Sequence, residues 1–177
     1  TPDRLVRVMG FQNGNVWSVD QALQFRDTAR HVDAIASAPY FGNGTFDAER
    51  ASLTDPNAIF AHLDGDIDTT LDRAAAMRAT AAKYGKRYIA YEGGQHVMNA
   101  NNVALLTQIS RDPRMHDLYL KYLSQWRQRI GDTIALYNSH GPIGRFGAWG
   151  LREYAGQPLD ETPKRRAVLE FQQETAR

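Results

Sequence analysis

Short apolar runs alternate with longer amphipathic stretches along this chain, and the alternation occurs four times. This is the pattern of βα units feeding a parallel sheet. The first run, Leu5 to Phe11, ends in the polar turn Gln12-Asn13-Gly14-Asn15. A helix is expected from near Ser18, whose hydroxyl can cap it, with Ala22, Phe25 and Ala29 near helical spacing. The second run, Val32 to Ala38, is closed by Pro39-Tyr40-Phe41-Gly42, because proline has no amide hydrogen to give to a ladder. A long loop through Asn43-Gly44-Thr45-Phe46 leads to a short helix expected over Pro56 to Leu63. A longer one follows from about Ile67 to Tyr84, its buried stripe formed by Leu71, Ala74, Ala75 and Met77. Gly85 suits a left-handed helix end.

The third run, Tyr88 to Tyr91, stops at Glu92-Gly93-Gly94-Gln95-His96. Helices are expected at Val103 to Ser110 and at Met115 to about Arg129, the latter with Leu118, Tyr122, Leu123 and Trp126 on its apolar face. The fourth run, Thr133 to Tyr137, leads into Asn138-Ser139-His140-Gly141 and a glycine-rich aromatic loop reaching Trp149. The last helix, Pro163 to Thr175, has proline in its first turn, where a missing amide costs least.

Four βα units joined by right-handed crossovers make either a small open sheet or one half of a barrel. No strand–helix turn carries a G-x-G-x-x-G or P-loop pattern, so the nucleotide-binding open sheets lack their phosphate cradle here. The expectation is an α/β chain whose residues 1–177 form one partial domain, half of a (β/α)8 barrel. Its sheet would need covering, by a complementary N-terminal half-barrel or by a second copy of the chain. The start, Thr1-Pro2-Asp3-Arg4, has neither an initiator Met nor a signal-peptide core and reads as a cut inside a longer protein.

Composition narrows the function classes. Hydrophobic residues make up 42% of the 177 positions and charged ones 23%, which suits a domain with a buried core. A net charge of +1 gives no broad attraction to a polyanion, so nucleic acid is not an expected partner. No apolar run approaches the roughly 20 residues that cross a bilayer, so no membrane partner is expected either. The absence of cysteine removes disulfides and thiolate chemistry and leaves the compartment open.

In a parallel αβ barrel the ligand meets the C-terminal ends of the strands. The polar residues there are Gln12 and Asn13, then Tyr40, then Glu92, Gln95 and His96, then Asn138, Ser139 and His140, with Arg145 and Trp149 further on. Glu92 is the one carboxylate directly at a strand end, followed by two glycines that would let a substrate approach the backbone. It is either a catalytic carboxylate or a partner for an arginine such as Arg145. Glycoside hydrolysis needs two carboxyl groups, and the second is expected from outside this chain. The aromatic residues Trp17, Tyr40, Phe41, Tyr91, Phe146 and Trp149 suit the apolar CH faces of a sugar.

The segment Tyr88-Ile89-Ala90-Tyr91-Glu92-Gly93-Gly94 resembles the seventh strand of the clan of retaining (β/α)8 glycoside hydrolases that includes cellulases, mannanases and β-xylosidases. The resemblance implies that the four strands are five to eight and that Glu92 is the nucleophile. It further implies that Tyr40, within Ala38-Pro39-Tyr40, hydrogen-bonds that nucleophile, and that Trp149 of Gly147-Ala148-Trp149-Gly150 floors the sugar site. Gln12, Asn13, His96, Asn138 and His140 are the expected substrate-binding residues, and no cofactor is expected.

Other signals read as structural. The histidines lack the spacing of a metal site. Asp64-Gly65-Asp66-Ile67-Asp68 lacks the later ligands of a calcium loop and reads as helix capping. Lys164-Arg165-Arg166 reads as the solvated side of the last helix. Two readings compete with a glycosidase: a non-catalytic carbohydrate-binding or assembly module on the same half-barrel scaffold, and an open-sheet enzyme with another substrate class.

Overall fold

The computed structural model describes residues 4–47, 50 and 52–175. The expected cut at Thr1-Pro2-Asp3 lies outside them. Within the described residues the fold is mixed α/β, with parallel strands and five α-helices, and the strands do not close into a barrel. Strand β1 (Val8–Gly10) pairs in parallel with β2 (Ala34–Ser37), which pairs in parallel with β4 (Arg87–Ala90). A second, two-stranded parallel pair is made by β3 (Tyr40–Phe41) and β5 (Gly94–Gln95), immediately beyond the ends of β2 and β4.

The strands are shorter than the apolar runs that announce them. Leu5 and Val6 lie outside β1 and are exposed. The fourth run is not a strand: one parallel bridge joins Ile134 to Ala90, supported by Ala90 N–H to the Thr133 carbonyl (2.9 Å) and Ala135 N–H to the Ala90 carbonyl (3.0 Å). The ladder stops there because β4 ends at Ala90 and the chain bends away through Tyr91 and Glu92.

Register is fixed at the starts of the strands by alternating charges. Arg7 grips Asp33 through two side-chain hydrogen bonds of 2.9 and 2.7 Å, and Arg87 grips Asp132 in the same way at 3.0 and 2.6 Å. Two-pronged arginine–carboxylate pairs set geometry as well as energy.

One face of the sheet carries Ile35, Tyr88 and Ala90, all in the hydrophobic core. Helix α2 (Pro56–Lys83) lies against the strands, α1 (Val16–Gln24) and α4 (Arg114–Arg129) pack on α2, and α5 (Pro163–Thr175) packs on α4. α3 (Val103–Arg111) packs on α4. Since side chains alternate along a strand, the opposite face holds Val8, Gly10, Ala34, Ala36, Ile89 and Tyr91. That face is open in part: Val8 is 46% exposed and Tyr91 50%, whereas Ala34 and Ala36 are buried.

The two helices expected over 56–84 are one. Asp55 caps it by accepting from Asn57 N–H, and Pro56 opens it. Ile59, Leu63, Ile67, Leu71, Ala74, Met77 and Ala81 then make an unbroken buried stripe at helical spacing. Exposed Gly65 costs about 1 kcal/mol in a helix, whereas burying Leu63 and Ile67 on either side returns roughly 1.5–3 kcal/mol each. The run Asp64 to Asp68 therefore lies inside α2 and caps nothing; Asp64 and Asp68 instead pair with Lys121 of α4 at 2.9 and 3.0 Å. Ser18 likewise does not cap α1, because Asn15 does so by accepting from Ser18 N–H. Gly85 takes the left-handed conformation expected of it, with φ +66°.

Gly42 terminates β3 with φ +80°, and a Cβ there would meet Leu63 Cδ2 at 2.8 Å and Val97 Cγ2 at 3.0 Å. Gly42→Ala should therefore combine backbone strain with overpacking and lower stability by about 2–4 kcal/mol, read as a shift of the urea midpoint.

Candidate functional site

Pairing of β3 with β5 places Tyr40 opposite Gly94 and Phe41 opposite Gln95, and His96 N–H closes the pair on the Phe41 carbonyl at 2.7 Å. Two buried tyrosines of α4 hold these turns. Tyr122 donates to the Pro39 carbonyl at 2.8 Å, and the Tyr119 hydroxyl accepts from Gln95 N–H at 3.2 Å. Phe41 packs between them, its ring centroid 5.7 Å from Tyr119 and 5.2 Å from Tyr122. Gly93 and Gly94 are buried against this pair: a Cβ would lie 2.7 Å from the Tyr122 hydroxyl at Gly93 and 3.0 Å from the Tyr119 hydroxyl at Gly94. The two glycines thus admit tyrosines from behind and not a substrate from in front, which corrects the sequence expectation.

Glu92 is half-buried between β4 and β5, next to Tyr40. Burial, followed by the charge of Glu92 and hydrogen bonding to it, raises the Tyr40 phenol above its ordinary range. The phenol therefore stays protonated beside the carboxylate. No arginine pairs with Glu92 among the described residues; Arg145 instead lies over the Phe146 ring at 4.7 Å.

An aromatic cluster surrounds this pair. Trp149 packs edge-on against His96 (4.3 Å between centroids), Tyr40 (5.6 Å) and Tyr137 (6.1 Å). Trp149 is distant from the fourth run in sequence but returns to it, because the intervening loop closes on itself. Leu151 N–H bonds the Asn138 carbonyl, Gly141 N–H bonds the Arg152 carbonyl, and Gly144 and Gly147 exchange two bonds. The base of this loop is anchored at the Ala148 carbonyl, which accepts from both Gln95 Nε2 and Lys164 Nζ. Lys164 is therefore not on a solvated helix face: it is 5% exposed, and burial lowers its amine to about 7. Burial also lowers the His96 imidazole, which favours the neutral ring.

Beside the cluster runs a cleft of about 270 Å³, open to solvent. Gln12 and Asn13 line it after β1, Tyr40 and Asn43 after β2, and Tyr91 and His96 after β4. Its floor is the face of α2 bearing Asp66, Thr70 and Arg73. Of the expected site residues, Gln12, Asn13, Tyr40 and His96 meet in the cleft, and Glu92 and Trp149 adjoin it through Tyr40. Asn13 is tied to the scaffold, accepting from Ser37 Oγ at 3.1 Å and donating to the Thr70 carbonyl at 3.4 Å. Asn138 and His140 are not among the cleft-lining residues. Asn138 holds the aromatic loop through its carbonyl, and exposed His140 contacts Ser139 Oγ at 3.1 Å. Phe41 is core, while Trp17 and Phe146 are exposed and more than 70% accessible.

Asp66, Thr70 and Arg73 escape the sequence reading, which breaks the helix near Gly65. Their i, i+4, i+7 spacing was the available signal, since it puts three polar groups on one helical face. Asp66 accepts from Gly42 N–H at 2.6 Å, and Thr70 donates to the Tyr40 carbonyl at 3.2 Å, so α2 carries the Tyr40 turn directly. Among the described residues no group of three or more His, Asp or Glu side chains is placed to hold a metal ion, and no helix is long and apolar enough to cross a membrane.

No family model, curated protein or solved structure matches this chain.

The buried Lys164 yields a pH test. An amine whose pKa falls on folding makes the folded state bind fewer protons than the unfolded one between about 7 and 10.5, so stability rises with pH across that window. The rise is at most about 1.4 kcal/mol per pH unit. Lys164→Met should abolish this contribution. Its thermal midpoint relative to wild type should therefore be highest near pH 7 and decline towards pH 10, with Ala148 still held by Gln95.

Proposed function

We propose that this chain is half of the catalytic barrel of a retaining glycoside hydrolase acting on a polysaccharide or oligosaccharide, with Glu92 as nucleophile. The observation that carries the reading is the half-buried Glu92 carboxylate at a strand end, beside a protonated Tyr40 and an aromatic cluster built on Trp149. Sugar rings offer apolar CH faces to such aromatics and hydroxyls to the polar groups of the adjoining cleft. The open sheet face and the two strand edges suit a complementary half-barrel, which under this reading is an N-terminal segment of the same polypeptide or a second copy of the chain.

In the mechanism, Glu92 attacks the anomeric carbon while an acid from the complementary half protonates the departing glycosidic oxygen. Tyr40 fixes the carboxylate for in-line attack. Water then displaces the enzyme carboxylate from the sugar, with the former acid as base, and the anomeric configuration is retained. Productive geometry places the two carboxyl groups about 5 Å apart. Within the cleft of this chain the one carboxylate is Asp66, and it is engaged by the Gly42 amide.

A single comparison tests the assignment. The chain alone should not turn over glycosides, whereas the chain joined to its complementary half should. Glu92→Gln in the joined protein should cut kcat by about 10³-fold or more, and azide should restore turnover with inverted product. Undiminished activity in Glu92→Gln overturns the nucleophile. Sugar binding with no turnover in the joined protein favours a carbohydrate-binding module.

A further inference from the structure

The cleft beside Glu92 holds one cation, and its setting is specific. Arg73 lines the cleft from α2, as Gln12 and Asn13 do from the turn after β1. Its aliphatic stem is pressed against the turn after β1: a Cβ on Gly14 would lie 3.0 Å from Arg73 Cδ and 3.2 Å from Cγ, and Gly14 has φ +84°. Only glycine fits that contact without strain, so the turn and the arginine are shaped to each other. Gly14 N–H meanwhile points at Met77 Sδ, one helical turn below, at 3.1 Å, which seats the turn on α2.

The guanidinium itself makes no hydrogen bond or ion pair among the described residues. Arg87, Arg111 and Arg114, by contrast, are paired, to Asp132, Glu153 and Asp112. The carboxylate that lines the cleft is already engaged: Asp66 accepts from Gly42 N–H and stands seven residues, about 10 Å of helix, from Arg73. Glu92 lies beside Tyr40 and is not among the lining residues. A planar, permanently charged donor with its stem against the Gly14 turn and its exposed head uncommitted, in a cleft whose lining carboxylate, Asp66, is held by a backbone amide, is arranged to receive a carboxylate or sulfate.

We propose that Arg73 is the specificity determinant of an acidic-sugar subsite, so that the saccharide bound in this cleft carries an anionic unit such as a uronic acid. The inference rests on the saccharide reading of the site and adds its substrate class. Gln12 and Asn43, on either side of the cleft, then meet the hydroxyls of the same unit.

The test is calorimetric titration of the chain joined to its complementary half with tetrasaccharides of pectate, alginate and glucuronoxylan, each beside its carboxyl-reduced counterpart, and with neutral cello-, manno- and xylotetraose. The expected result is that at least one acidic oligosaccharide binds about ten-fold or more tightly than its reduced form, with the preference weakening as salt is raised. Arg73→Gln should erase that preference and Arg73→Lys should keep part of it. Arg145→Gln, whose side chain lies over Phe146 and not in the cleft, should leave it unchanged. Unaltered thermal midpoints confirm that the variants are folded. Equal binding of acidic and reduced members, or binding of the neutral sugars alone, overturns the acidic subsite and leaves the saccharide reading standing. A preference that survives Arg73→Gln overturns the role of Arg73. Failure of the joined protein to bind any of these sugars overturns the saccharide reading, and the subsite with it.

Discussion

The short pairing of β3 with β5 organises everything at the strand ends of this protein. Two residues on each side suffice to set Tyr40 beside Glu92 and His96. Two-residue ladders have little stability of their own. This one persists because Tyr119 and Tyr122 hydrogen-bond its backbone from behind, in a setting so tight that only glycine fits at positions 93 and 94. The tyrosine hydroxyls are buried and partnered, and in a water-free interior leaving a partner unmade costs more than the bond is worth on average. The rigidity of the site thus originates in the core, behind the surface that a ligand would touch.

The parts of the fold that follow from periodicity alone were legible in the sequence. The order of the first three apolar runs and the helices after them, the parallel sense of the sheet, Gly85 as a helix end and Pro163 as a helix start all rest on local chemistry. Expectations failed where a long-range packing term outweighed a local one. Gly65, flanked by aspartates, has the composition of a break, but the stripe through Leu63 and Ile67 carries α2 straight across it. Lys164 has the composition of a solvated face, but its amine is drawn inward by the Ala148 carbonyl.

The candidate site divides in the same way. Tyr40, Glu92 and His96 could be named because they directly follow apolar runs, and Trp149 because of its aromatic, glycine-rich surroundings. That Trp149 reaches Tyr40 was not legible, since it depends on the closure of the loop from Asn138 to Leu151. Asp66, Thr70 and Arg73 stayed hidden because they lie on a helix and not at a strand end. Asn13 shows the converse: it is well placed in sequence, but its amide is consumed by Ser37 and Thr70.

The sheet poses a different question from the site. Its helix-facing side is a finished core, while the opposite side offers Val8, Ile89 and Tyr91 to solvent, and the charge ladder at the strand starts runs Arg7, Asp33, Arg87, Asp132. The ladder ends in a cation at one edge and an anion at the other. A strand arriving beside β1 would meet Arg7, and one arriving beside the segment at Ile134 would meet Asp132, so a completing unit needs an acid at one edge and a base at the other. Burying the apolar face would supply the driving force for such a union, and the charges at the two edges would set its direction and register, because like charges brought together there are repelled. Under the half-barrel proposal the same union would also bring a second carboxyl within reach of Glu92, and the open face and the lone strand-end carboxylate would then share one origin.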